Sequence, residues 1–330
     1  MPSKPTARLQ LKLQPSKTMK KQTTRKYGML ALALWSCTTL AQAANYTLTP
    51  DEHGQVLKAP DGRQVGRFMT RKPADTTLSV DSVCCLYPVL TPSGVPISEF
   101  SPPDHKHHRG IFVGWPNVEH SGGKVSDFWG WGKFGPFTNN VITNRSVKLL
   151  EADASHAVLE IRNEWLAEGQ SLLQEATTLS VREQAGAYVL DYDLRFTAVV
   201  DLVLKETSLG GFCPRVRKSP QTVVSSPKGK VELKMPNPLD PLSAWPDEAW
   251  YDFTIPTESG GQAGIAVVNH RDNPPTRWFN LSKMGMLNPC ITTHGAVPLK
   301  AGKVLRLRYT VVVHDGAAPG EFLNSLLKMN

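Results

Sequence analysis

The stretch "AYVLDYDLRFTAV", residues 187–199, decides the fold. Tyr188, Leu190, Tyr192, Leu194 and Phe196 fall on every second position, with Asp191, Asp193 and Arg195 between them. A period of two puts successive side chains on opposite faces of an extended chain, so one face is apolar and the other wet. The same beat runs through "HAVLEIRNEWLA" (156–167), where Leu159, Ile161, Asn163 and Trp165 alternate with Val158, Glu160, Arg162 and Glu164. It returns in "VLRLRYTVVVH" (304–314) and, more briefly, in "ATTLSVRE" (176–183) and "GIAVVNH" (264–270). Half-buried strands of this kind belong to antiparallel sheets. Turn signals such as "APDGRQ", "EQAGA" and "KAGK" separate them. The expected fold is all-β: one large antiparallel β-sandwich domain over residues 44–330, with a short C-terminal helix. That helix is read in "APGEFLNSLLKMN", where Phe322, Leu323, Leu326 and Leu327 form an apolar stripe, and it is expected to cap the end of a sheet. From Pro214 to Pro246, prolines are dense and alternation is weak, which predicts a long ordered excursion.

The first 43 residues read differently. Eight basic residues and no acidic one precede the apolar run "GMLALALWSCTTL", and "AQAA" follows. This is the pattern of a secretory leader cut after Ala43, and it predicts a periplasmic or secreted protein. A rival reading lipidates Cys37 in "LWSC", which Trp35 suits poorly. The charge of +8 comes from 37 basic and 29 acidic residues, so 37 − 8 leaves the remainder balanced at 29 against 29. No electrostatic case for nucleic acid survives, and no second apolar run predicts a membrane span. Past the leader, Cys84, Cys85, Cys213 and Cys290 remain. Either one of the adjacent pair bridges to Cys213 or Cys290, or all four are buried thiols.

The chemistry concentrates in "PPDHKHHRG", residues 102–110. If this segment is extended, His105, His107 and Arg109 share one face and Asp104 and His108 the other. His105, His107, His108 and Arg109 are the candidate catalytic group. They suit acid–base work, and His105 with His107 at i and i+2 suits one divalent metal. An aromatic and glycine-rich segment follows, with Trp115, Trp129, Trp131 and Phe134 among its rings; it supplies Trp115 and Trp129 as stacking platforms and Asp127 as a base, or a partner supporting one, on the side of the histidines. Later in the chain, His270 at a strand end is a further catalytic candidate. Glu206, Arg215 and Trp278 are candidate substrate contacts. No GxSxG elbow, HExxH helix, GxGxxG turn or P-loop occurs, which argues against serine hydrolases, zincins and nucleotide enzymes.

"YPVLTPSGVPISEFSPPDHKHHRGIFVGW", followed by "DFW" at 127–129, resembles the signature of the bacterial family labelled "methane oxygenase PmoA". The tail is similar in outline, with Gly210, Gly211 and Arg215, then His270, Pro274, Pro275 and Trp278, then "LRYTVVVHDG"; Arg271 stands where members usually have proline. The resemblance implies a secreted sandwich similar to galactose-mutarotase-like supersandwiches, found among carbohydrate-degrading functions, and its label implies a metal-dependent oxygenase. The leading expectation is an exported sugar-active enzyme of epimerase, lyase or hydrolase type, with its site on a concave sheet face and a carbohydrate or other small molecule as partner. A non-catalytic carbohydrate-binding protein is the alternative.

Overall fold

The computed structural model describes residues 44–328 apart from 77 and 79. The leader, with its cleavage point and Cys37, lies outside the described residues. Two antiparallel sheets make the frame. The larger has nine strands, in spatial order Gly229–Val231, Val223–Ser226, Trp250–Pro256, Gln262–Asn269, Val304–Asp315, Ala187–Ala198, Gln170–Gln184, His156–Ala167 and Val141–Ala152. The smaller has six: Thr47–Pro50, Gly54–Lys58, Gln64–Met69, Cys85–Val89, Ile111–Gly114 and Gly211–Pro214. The fold is therefore all-β, as the alternation predicts. The excursion after Pro214 is more regular than its prolines suggest, because it supplies the two outermost strands at one edge of the larger sheet.

The residues that set the period fill one core. Tyr188, Leu190, Leu194 and Phe196 join Leu159, Ile161, Leu307 and Val311 from the larger sheet. Leu86, Ile111, Val113 and Phe212 come from the smaller sheet to meet them. Phe212 stacks on Tyr309 with ring centroids 4.4 Å apart, which joins the sheets face to face. Each large side chain so buried contributes about 1.5–3 kcal/mol.

Both outer faces are also used. On the larger sheet, the helix Gly320–Leu326 lays Leu323 and Leu326 over Trp250, Ala266, Val268 and Val312. It thus covers a face instead of capping an end. Outward residues of this sheet are apolar under the helix and charged beyond it. On the smaller sheet, Cys85, Phe112 and Cys213 point outward into a second apolar cluster with Trp129, Phe279 and Met286. Cys84, Cys85, Cys213 and Cys290 are free thiols, so of the two readings above the structure has the unbridged one. Among the described residues no helix is long and apolar enough to cross a membrane.

Candidate functional site

The histidine box lies over the outer face of the smaller sheet, between the strands Cys85–Val89 and Ile111–Gly114. It is not extended. Two successive turns, closed by His105 N to Pro102 O (2.9 Å) and His108 N to His105 O (2.9 Å), fold it back on itself. The expected separation of His108 from His105 and His107 therefore fails, and all three rings meet. Ring centroids are 4.4 Å apart for His107–His108, 4.9 Å for His105–His108 and 5.7 Å for His105–His107. The box is tied down by backbone: Gly110 N bonds Glu99 O at 2.8 Å, and Arg215 N bonds Gly110 O at 2.7 Å. Gly110 has φ +36°, and a Cβ there would sit 2.1 Å from Leu86 O, so only glycine closes the box against the strand. The Arg215 bond brings that arginine beside the box.

The loop 127–137 forms the cover. Trp129 meets His108 edge-on at 5.9 Å, Phe134 meets His107 at 5.6 Å, and the Arg109 guanidinium lies 3.8 Å from the Trp131 ring centroid. Asp127 builds this loop and is not a base facing the histidines. Its Oδ1 accepts Trp129 N (2.9 Å) and Gly130 N (2.7 Å), and its Oδ2 accepts Gly132 N (3.0 Å) and Phe134 N (3.1 Å). With four donors on a fully buried carboxylate, no lone pair is left for a substrate proton.

His107, His108, Arg109, Arg215, Trp129 and Trp131 are all buried, yet each keeps a nitrogen without a hydrogen-bond partner: His107 Nε2, His108 Nδ1, one terminal nitrogen of each arginine, and both indole Nε1 atoms. Buried polar atoms are paired in the great majority of cases, so six orphans at and beside one box are unusual. Burial, followed by the charge of Lys133 and the neighbouring side chains, pushes His107 down to about 3. Burial and the adjacent His107 ring push His108 well below its ordinary value. Burial likewise takes Arg109 down to about 9, which leaves it cationic at neutral pH.

Imidazoles held neutral in the fold make stability depend on pH. Below about 6.5 the unfolded chain takes up protons that folded His107 and His108 refuse, so stability falls as pH drops, at up to about 1.4 kcal/mol per pH unit for each ring. His105, lowered by burial, adds to the fall. His314 opposes it, because Asp252 at 2.8 Å overcomes the effect of burial and raises that pKa. Denaturant titrations of wild type and His107→Gln at pH 7 and pH 5 should give the variant the smaller loss. Equal losses would show that His107 is not held neutral.

The metal expectation finds no ligand set: among the described residues no three His, Cys, Asp or Glu groups are placed to share an ion. Residues 55–328 match the family described as "Family of unknown function (DUF6807)". The chain belongs to DUF6807. The PmoA resemblance is thereby corrected, since the matching family is one of unknown function and no comparison carries that label. The oxygenase reading drawn from that label loses its support with it. No curated protein matches the DUF6807 chain. Among solved structures it is similar to the galactose mutarotase related enzyme from Lactobacillus acidophilus, with 9% identity, 82% of this chain and 97% of that chain covered, and a TM-score of 0.36. A galactose mutarotase-like protein from Lactobacillus casei gives 11%, 82%, 100% and 0.36. The GH36 alpha-galactosidase AgaA from Geobacillus stearothermophilus gives 8%, 84%, 40% and 0.31. Likenesses this distant say nothing of substrate or reaction.

Several expected site residues of this DUF6807 chain lie elsewhere. Trp115 belongs to the core between the sheets, packed on Trp165 at 5.5 Å and Phe196 at 5.1 Å. Trp278 is also core, edge-on to Tyr251 at 5.1 Å, with its Nε1 donating to Glu248 O at 2.9 Å. Glu206 is exposed on the loop after the strand Leu202–Leu204. His270 lines clefts of about 470 and 540 Å³ on the outer face of the larger sheet, with both sheets between it and the box. The histidine box is thus carried by loops over the outer face of the smaller sheet. From sequence, Glu99 and Lys133 are not expected at the box, and Trp131 and Phe134 are read only as part of the aromatic segment, not as site residues. The last three stand in the aromatic segment beside residues that were singled out. Glu99 gives no signal of its own.

Proposed function

We propose that this DUF6807 chain is an exported carbohydrate-active enzyme whose site is the cluster of His105, His107, His108, Arg109 and Arg215, covered by Trp129, Trp131 and Phe134. One observation supports the reading: at and beside the box, six buried side chains each have a nitrogen without a hydrogen-bond partner among the described residues. Unpartnered polar atoms also occur singly in the core, at Trp115, Tyr188, Tyr192 and Tyr309, but around the box they lie on histidines and arginines, which a polar ligand would satisfy together. Indole and phenyl rings interleaved with N–H donors suit a sugar, whose C–H faces stack while its hydroxyls bond. His105, the least buried of the three rings, marks the way in, and His107 behind it is the proton carrier of the reaction. The leader pattern in residues 1–43 supports export.

A screen of sugars by calorimetry, followed by turnover assays on those that bind, tests this. His107→Gln is expected to bind the substrate and to lose turnover. If His107→Gln and His108→Gln both turn over a found substrate at the wild-type rate, the catalytic role is wrong. Binding that survives both changes with no turnover in the wild type favours the non-catalytic alternative, a reading the low basicity of His107 also supports.

A further inference from the structure

We propose that Arg109 and Arg215 receive an oxyanion, a carboxylate or a sulfate, carried by the substrate; the inference rests on the site proposed above and names the class of sugar it takes, an acidic one.

Arg109 is 2% exposed and has no carboxylate partner. Its Nε donates to His107 O at 3.2 Å, its guanidinium lies 3.8 Å from the Trp131 centroid and 5.6 Å from that of Phe112, and one terminal nitrogen has no partner. Arg215 is wholly buried. It meets a single oxygen, Glu99 Oε2, through Nε at 3.3 Å and one terminal nitrogen at 3.2 Å, and the other terminal nitrogen is unpartnered. Glu99 thus leaves half of the Arg215 fork unused. The other carboxylate at the box, Asp104, is taken by Lys218 and lies 3.0 Å from His105 Nδ1. Lys133 acts on the same three imidazoles. Among the described residues, Arg215 thus has Glu99 and Lys218 has Asp104 as ion-pair partner, whereas Arg109 and Lys133 have none. The nearest acidic side chains of another kind, the Cys85 and Cys213 thiols, are held protonated by burial.

A buried guanidinium without a counter-ion is among the costliest groups a fold can hold, and its planar fork matches carboxylate and sulfate oxygens two at a time. A ligand oxyanion would pair the free terminal N–H groups and balance the charge. It would also raise the imidazole pKa values, because an opposite charge nearby favours the protonated ring. Bound substrate would thus bring His107 back toward the range where histidine carries protons. Neutral sugars lack that lever.

The test compares binding of galacturonate, glucuronate and galactose 6-sulfate with galactose, glucose and the methyl esters of the two acids, by calorimetry on the purified chain. One or more of the charged sugars is expected to bind, with its neutral counterpart at least about tenfold weaker. Arg109→Met should weaken the charged ligand by about 10- to 100-fold, the range of one charged hydrogen bond, and Arg109→Lys should fall between. Arg109→Lys also keeps the test open if the methionine variant does not fold. Binding of a uronate assigns a carboxylate, and binding of the sulfate ester alone assigns a sulfate. If galactose, glucose and the methyl esters bind as tightly as the charged forms, the oxyanion is wrong while the sugar site stands. If acetate or sulfate ion binds in an Arg109-dependent way and no sugar does, the oxyanion stands and the sugar reading falls. No binding of either kind overturns both.

Discussion

Asp127→Ala is expected to lower unfolding stability by about 3–5 kcal/mol, the scale of removing a buried charged acceptor from several donors. The four N–H groups of Trp129, Gly130, Gly132 and Phe134 converge on that one carboxylate. Without it they have no replacement, because the loop has turned inward at Trp131, φ +50°, and Gly132, φ +100°, to reach Asp127. The loss should appear twice. Denaturant titration reads the global change, and tryptophan fluorescence reads local release of Trp129 and Trp131. Since those indoles cover His108 and Arg109, ligand binding at the box should weaken as well. Asp127→Asn keeps one acceptor oxygen and turns an NH2 group toward two of the donors, so it should lie between wild type and alanine. A change below about 1 kcal/mol for alanine would mean that the four bonds do not hold the loop.

Much of the frame was legible because its signal is local. At Tyr188 to Phe196 and Leu305 to Val313 the period of two states which side of each strand is dry, and the core uses those sides. The same rule, carried a little further, would have placed Trp115. It shares phase with Ile111 and Val113, both inward, so its indole belongs to the core and not to a sugar platform. "DFWGWG" also held a readable sign, since an aspartate followed by closely spaced glycines suits a carboxylate gathering backbone N–H groups. The box itself was legible in composition but not in shape. Extended geometry was assumed for Asp104 to Arg109, and two turns hydrogen-bonded to Pro102 and His105 replaced it. Those turns bring three imidazoles together, an outcome alternation could not give. Placement of Arg215 beside the box depends on contacts more than a hundred positions apart, and that of His270 on the far face on pairing with Arg308 and Tyr309, about 40 positions on. No local pattern encodes such contacts.

Glu175→Ala is expected to cost about 3–5 kcal/mol, although the residue sits in the core between the sheets and outside the histidine box. Glu175 takes an inward position on the strand Gln170–Gln184, in phase with Leu173, Leu179 and Val181. Its carboxyl accepts Trp165 Nε1 at 2.9 Å, Asn163 Nδ2 at 3.0 Å and Thr177 Oγ1 at 3.2 Å. Alanine leaves three buried donors unpaired and opens a void beside Trp165, whose ring packs on Trp115 and Phe128. Glutamine separates the two contributions. Its carbonyl in the Oε1 place still satisfies Asn163 and Thr177, and it removes a charge that burial disfavours, which is why the Glu175 pKa is raised. A raised carboxyl pKa means the folded state holds its proton longer than the unfolded one, so its contribution is largest at low pH and is lost as pH rises through the folded value. Glu175→Gln should therefore stay within about 1–2 kcal/mol of wild type at pH 7 and compare less favourably at pH 4, where the wild-type carboxyl is protonated. Thermal and denaturant unfolding at the two pH values decide the matter. If alanine and glutamine prove equally harmful at pH 7, the void rather than the unpaired donors dominates, and Glu175 serves the core by its volume.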